Sequence, residues 1–124
     1  LYKVNHFKNQ IMSPVYEFVF EKYKIDIQSL NEIDNYNDID GLAALISACD
    51  YVVTTSNVTA HIAGAINKKT FLLLPCGIAR IWYWGTLSEH SLWYPSIEII
   101  RRSISDSWED SIQKLSNKLK LLYG

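Results

Sequence analysis

Two β-prone apolar runs, Tyr51–Thr54 and Thr70–Leu74, are joined by a hydroxyl-rich turn and a segment of small residues. No feature of the chain constrains its fold more. Parallel strands need a crossover, and a short helix is the usual one. The order therefore predicts a βαβ unit, with Thr54-Thr55-Ser56-Asn57-Val58-Thr59 at the carboxyl end of its first strand. Tyr51–Thr54 shows no alternation, which predicts a strand covered on both faces. The helix is expected from about Asn57 to Ile66, with Ala60, Ala63, Gly64 and Ala65 letting its backbone lie close to the sheet. Asn67 suits a left-handed terminating position.

The flanking segments extend an α/β pattern. Residues 1–5 suit a short strand, and Met12 to Lys24 a helix opened by Ser13-Pro14, with Val15, Phe18, Val19 and Tyr23 on one face. Ile25-Asp26-Ile27 suits another short strand, and Asn31 to Asn37 an exposed loop. A helix is expected from about Asp38 to Cys49, capped by Asp38 or Asp40, with Ile39, Leu42, Leu45, Ile46 and Cys49 as its stripe. Ile97 to Arg101 reads as a last strand. A final helix is expected after Asp106 or Ser107, with Glu109 or Asp110 completing a capping box. Its apolar face would hold Trp108, Ile112, Leu115, Leu119 and Leu122. Alternating helices and strands argue for a Rossmann-like parallel sheet with helices on both faces.

At 124 residues the chain fits a single domain over residues 1–124. An apolar fraction of 48% with 20% charged residues excludes a disordered tail. A formal net charge of −1 gives no general attraction to nucleic acid. No apolar run approaches the ~20 residues needed to span a bilayer, so no transmembrane segment is expected. The start carries no signal-peptide pattern, and the opening Leu1 suggests a piece of a longer protein or a processed product. Cys49 and Cys76 lack metal spacing and read as two small buried thiols. His6, His61 and His90 are scattered, so no metal site is expected.

The turn after Thr54 is the first candidate site. The start of a helix leaves main-chain N–H groups without internal partners, and its dipole favours an anion. Hydroxyl and amide side chains at Thr55, Ser56, Asn57 and Thr59 add hydrogen-bonding groups, and Ser56 or Asn57 would cap the helix in any case. Pyrophosphate fits such a cradle, although neither a dinucleotide fingerprint nor a P-loop lysine is present. His61 lies about one turn in, where it would either donate to a phosphate or sugar oxygen or pack in the core. A Ser56–His61 hydrolytic pair is a third reading, weakened by the lack of a nucleophile-elbow sequence and of a third partner.

Arg80 to Pro95 is a long connection rich in aromatic residues, with Trp82, Tyr83, Trp84, His90, Trp93 and Tyr94. Its rings would either cover a nucleobase or sugar or pack the connection onto the sheet edge. Arg80 would either pair with a diphosphate or lie in solvent.

Residues 30–121 resemble the C-terminal domain of glycosyltransferases of the GT-B fold. The nearest likeness is to the heptosyltransferase-like family 9, in a branch found behind tetratricopeptide repeats in bacterial proteins. Leu42 through Ala65, Lys69 through Pro75, Trp82-Tyr83-Trp84, Ser91 through Ser96 and Asp106 through Glu109 carry the resemblance. It implies a nucleotide-diphosphate-sugar donor held without a metal or other cofactor, at Thr55, Ser56, Asn57, Val58, Thr59 and His61. Pro75, Cys76 and Gly77 would border the nucleotide; the aromatic connection, by its own chemistry, adds Arg80 and Trp82 to the donor site. The resemblance further implies an N-terminal domain that supplies the acceptor site and the catalytic base, and a location in the cytoplasm or at the inner face of the membrane. Heptosyltransferases usually carry an acidic residue followed by Thr-Gly in this turn, where this chain has Ser56-Asn57-Val58. That departure keeps open an alternative, a non-catalytic Rossmann-like interaction module that has lost donor binding.

Overall fold

The computed structural model describes residues 13–27, 33–34, 36–76, 82–85 and 88–124. Two compact units divide the chain, Leu1–Ala44 and Leu45–Gly124. The expected strand at residues 1–5 lies outside the described residues.

In the first unit, α1 spans Ser13–Tyr23. Phe18 and Tyr23 do not form a buried face: they are 55% and 56% exposed, and their rings meet edge to face at 6.5 Å. Lys22 Nζ lies over both rings. Ile25-Asp26-Ile27 forms no strand. The Asn/Asp-rich loop is held by Asp34, whose carboxylate accepts from the Tyr36 N–H and from Asn37 Nδ2. Helix α2, Ile39–Ala48, crosses the boundary between the units. Asp38 caps it, accepting from the Gly41 N–H at 2.8 Å. Leu42, Leu45 and Ile46 are buried as the spacing predicts, whereas Ile39 is 46% exposed on the opening turn.

The second unit is built on three parallel strands in the order β1-β2-β3: β1 Val52–Thr55, β2 Thr70–Leu74 and β3 Ile97–Arg101. Thr54 pairs with Leu72, and Leu72 with Ile99. This register puts Leu72, Leu74, Ile97 and Ile99 on one face of the sheet and Phe71, Leu73 and Ile100 on the other. Helix α3, Val58–Ala65, covers the first face through Ala60. The other face is covered by α4, Trp108–Tyr123, through Leu115 and Leu119. The architecture is therefore α/β, with helices on both faces of a parallel sheet. Each fully buried Leu, Ile or Phe in these layers contributes roughly 1.5–3 kcal/mol.

Three sequence expectations are corrected here. Strand β1 is not covered on both faces: Val53 is 41% exposed and Thr55 is also exposed, because β1 ends the described sheet and α4 lies over β2 and β3. Ala65 points outward, so only Ala60, Ala63 and Gly64 form the close-packed side of α3. On α4 the buried line runs through Ser111 and Leu115, leaving Trp108, Ile112 and Leu122 at 39%, 49% and 55% exposure.

The helix ends follow the sequence closely. Asn67 takes φ 56°, and the Lys68 N–H returns to the Ala63 carbonyl at 2.8 Å. Lys68 Nζ donates to the carbonyls of Ser47 and Cys49, closing the end of α2. Ser107 caps α4, and Asp110 completes the capping box.

Glu98 is the second residue of β3, on the α4 side. Lys69 Nζ donates to it at 2.9 Å, and Lys118 of α4 closes a second ion pair. Burial pushes its carboxyl up. The hydrogen bonds from Lys118 and Lys69, with their charges, outweigh that and hold it below the usual carboxylate range.

Candidate functional site at the carboxyl edge of the sheet

In a parallel sheet all strand ends of one polarity lie on one edge. Thr55, Leu74 and Arg101 end the three strands there, and ligands of open α/β sheets bind outside that edge. The chain leaves β1 through Ser56 and Asn57 and enters α3 at Val58.

Asn57 is the N-cap, and its Oδ1 accepts from the Thr59 N–H at 2.9 Å. Its Nδ2 donates to Thr54 Oγ1 at 3.0 Å, so the side chain ties the strand end to the helix start. The Ala60 N–H is taken by the Asn57 carbonyl at 3.2 Å. Of the cradle residues, Thr55 is exposed at the strand end and Val58 turns 53% of its surface to solvent, while Thr59 is half-buried in the first turn.

Ser56 is engaged from the aromatic connection. Trp82–Trp84 forms a 3-10 turn whose last residue is fully buried, and Trp84 Nε1 donates to Ser56 Oγ at 2.9 Å. A serine hydroxyl accepting one bond keeps its own hydrogen to give. Arg101 Nη2 holds the turn in place, donating to the Trp84 carbonyl at 2.7 Å.

His61 stacks on the same indole, with ring centroids 5.0 Å apart and planes 24° apart. Its Nδ1 lies 3.2 Å from the Tyr94 hydroxyl, and Tyr83 packs beside it at 5.3 Å. Ser56 and His61 thus both touch Trp84, Ser56 at the indole N–H and His61 on the ring face. Each is hydrogen-bonded to an aromatic side chain, and among the described residues no hydrogen bond joins the two as a Ser–His hydrolytic pair requires.

The remaining expected residues divide. Pro75 is half-buried just past β2. Trp82 is 78% exposed, its ring edge-on to Tyr83 at 5.7 Å. Gly77 and Arg80 lie outside the described residues. Cys49 and Cys76 are free thiols, half-buried rather than buried. Arg102 Nη2 donates to Cys76 Sγ at 3.4 Å, and its guanidinium lies over the Trp108 ring at 5.3 Å.

Sequence reasoning singled out Trp82 and passed over Trp84, the largest fully buried side chain of the described residues. Two tryptophans separated by one residue carry no periodic signal that tells the buried one from the exposed one. Tyr94 was legible only as a member of the aromatic connection. Among the described residues no group of three His, Cys, Asp or Glu side chains could hold a metal. Nor, among them, is any helix long and apolar enough to cross a membrane.

Protein FlbA of Caulobacter vibrioides is 31% identical to this chain over 103 residues, which make up 83% of the chain and 17% of FlbA. No protein-family profile and no solved structure matches the chain.

Proposed function

We propose that this chain is the donor-binding part of a glycosyltransferase, taking a nucleotide-diphosphate sugar at the mouth of α3. Transfer to an acceptor would require an N-terminal domain that supplies the acceptor site and the catalytic base. One observation carries the reading: a hydroxyl- and amide-rich turn joins a parallel strand to a helix start, with a histidine seated one turn in. The pyrophosphate would meet the first turn of α3, the Thr55 and Ser56 hydroxyls and the His61 ring. The open face of Trp82, at 78% exposure, is suited to stacking on a base or sugar. The resemblance to GT-B C-terminal domains adds to this, and the departure at Ser56-Asn57-Val58 leaves the identity of the sugar open.

Titration of the chain with UDP, GDP, ADP and CMP, followed by amide shifts, tests the reading. Binding in the micromolar to millimolar range, roughly −8 to −4 kcal/mol, is expected for half of a cleft. Shifts should centre on Ser56 to His61. Silence of those amides to every ligand would remove the proposal.

A second reading is a non-catalytic interaction module. In its favour, Leu92 and Trp93 are 76% and 63% exposed in the same connection that exposes Trp82. A partner protein that shifts these residues, with no nucleotide bound at α3, would decide for it.

A further inference from the structure

Tyr94 is held by three separate devices. The buried Ser91 hydroxyl accepts from the N–H groups of Trp93 and Tyr94, each at 3.2 Å. The Tyr94 carbonyl accepts from the Ile97 N–H at 2.9 Å, at the start of β3. Its ring lies flush against α3 at Gly64, where any Cβ would stand within 2.6 Å of Tyr94 Cδ1. Only glycine leaves room for the ring there. The effect of all three is to set the phenol oxygen 3.2 Å from His61 Nδ1.

The surroundings of His61 sharpen the point. Its ring is enclosed by Trp84 at 5.0 Å, Tyr83 at 5.3 Å and Tyr94 at 5.8 Å. In a neutral imidazole one nitrogen donates and the other accepts, and the bond made by one decides the state of the other. A phenol O–H is the better donor of this pair, and an imidazole lone pair the better acceptor. The favoured arrangement has Tyr94 donating.

We propose that Tyr94 is a positioning residue that fixes the tautomer of His61: its phenol donates to Nδ1, the ring hydrogen resides on Nε2, and that N–H is presented to an oxygen of the phosphorylated ligand. The ligand half of this statement rests on the donor-binding reading above; the tautomer half does not. Side chains on a helix lean toward its N-terminus, which carries the His61 ring over the first turn of α3. Ser56 and His61 meet the same indole, so the Ser56 O–H and the Nε2–H would serve one ligand together.

Histidine ring nitrogen spectra of the full chain, unliganded, give the tautomer directly. The wild type should show His61 protonated at Nε2. Tyr94→Phe keeps the ring packed on Gly64 and removes only the hydroxyl; His61 should then populate both tautomers. Affinity for the nucleoside diphosphate of the panel that binds tightest should fall about fivefold, the worth of roughly 1 kcal/mol of directed hydrogen bonding. A wild-type His61 protonated at Nδ1, or a tautomer unchanged in Tyr94→Phe, overturns the proposal. An altered tautomer with unchanged affinity overturns its ligand half. If no nucleotide binds the wild type, the donor-binding reading fails while the spectra still decide the role of Tyr94.

Discussion

The indole of Trp84 donates a 2.9 Å hydrogen bond to the Ser56 hydroxyl, joining the aromatic connection to the turn that opens α3. Trp84 is fully buried, so its N–H has no recourse to water. Ser56→Ala would leave that donor unpaired, at a cost of about 1–3 kcal/mol in unfolding free energy. Trp84→Phe removes the donor along with part of the packing. In the double variant the Ser56 change should cost much less than it does alone, because no orphan remains. Urea denaturation of the four proteins measures this coupling, and strict additivity would mean the bond contributes nothing.

Gly64→Ala places a methyl group into the Tyr94 ring. Helix propensity alone favours alanine over glycine by about 1 kcal/mol. Overpacking should reverse the sign and give a net loss of roughly 1–3 kcal/mol. Thermal unfolding read by circular dichroism checks it; a stabilised variant would show that the ring yields freely.

Acid should loosen the packing of α4 on the sheet through Glu98. Its folded carboxyl lies below the ordinary value, so its contribution is fully present above that value and is lost as pH falls through the depressed one. Stability of the wild type should therefore fall with pH below about 4.5. Glu98→Gln should be less stable near neutrality, with a flatter acid limb. Lys118 obeys the opposite sign. Its hydrogen bond to Glu98 raises it, so its share persists through neutral pH and is lost only as pH climbs through that raised value.

Asp106, in the connection from β3 to α4, offers a second check. The hydrogen bond from Lys114, assisted by Ser103, lowers its carboxyl to about 2. Lys114→Met should return it toward the ordinary aspartate value in a carboxyl-carbon titration, with little change in overall stability for so exposed a pair.

At the start of α4 the Ser107 hydroxyl accepts from the Asp110 N–H at 3.2 Å, and the Asp110 carboxylate accepts from the Ser107 N–H at 2.8 Å. Ser107→Ala should cost about 1 kcal/mol, measured by denaturation, while Ser107→Thr, which keeps the hydroxyl, should recover most of it.

Strands β2 and β3 were legible residue for residue: β2 is a nearly unbroken apolar run buried along its whole length, and β3 keeps Ile97, Ile99 and Ile100 buried around Glu98. Strand β1 carried the same signature and yet ends the described sheet, since four residues are too few for composition to separate an edge from a centre. The caps at Asn57 and Ser107 were readable from local chemistry, as was the left-handed Asn67. On α4 the spacing was right and the centre displaced: fully buried Ser111 lies beside Ile112 at 49% exposure. A small polar residue can sit where the helix comes nearest the sheet, and no hydropathy pattern reports distance. The turn at Thr54–Thr59 stood out as a candidate, but the side chain that bonds to it, Trp84, comes from a connection whose course periodicity does not encode.

Gly64 and Tyr94 occupy a single shared volume, one supplying the hollow and the other the bulk. Their identities are therefore coupled by packing. A relative that carries a side chain at position 64 must carry something slimmer at position 94, and would surrender the phenol partner of His61 by the same exchange.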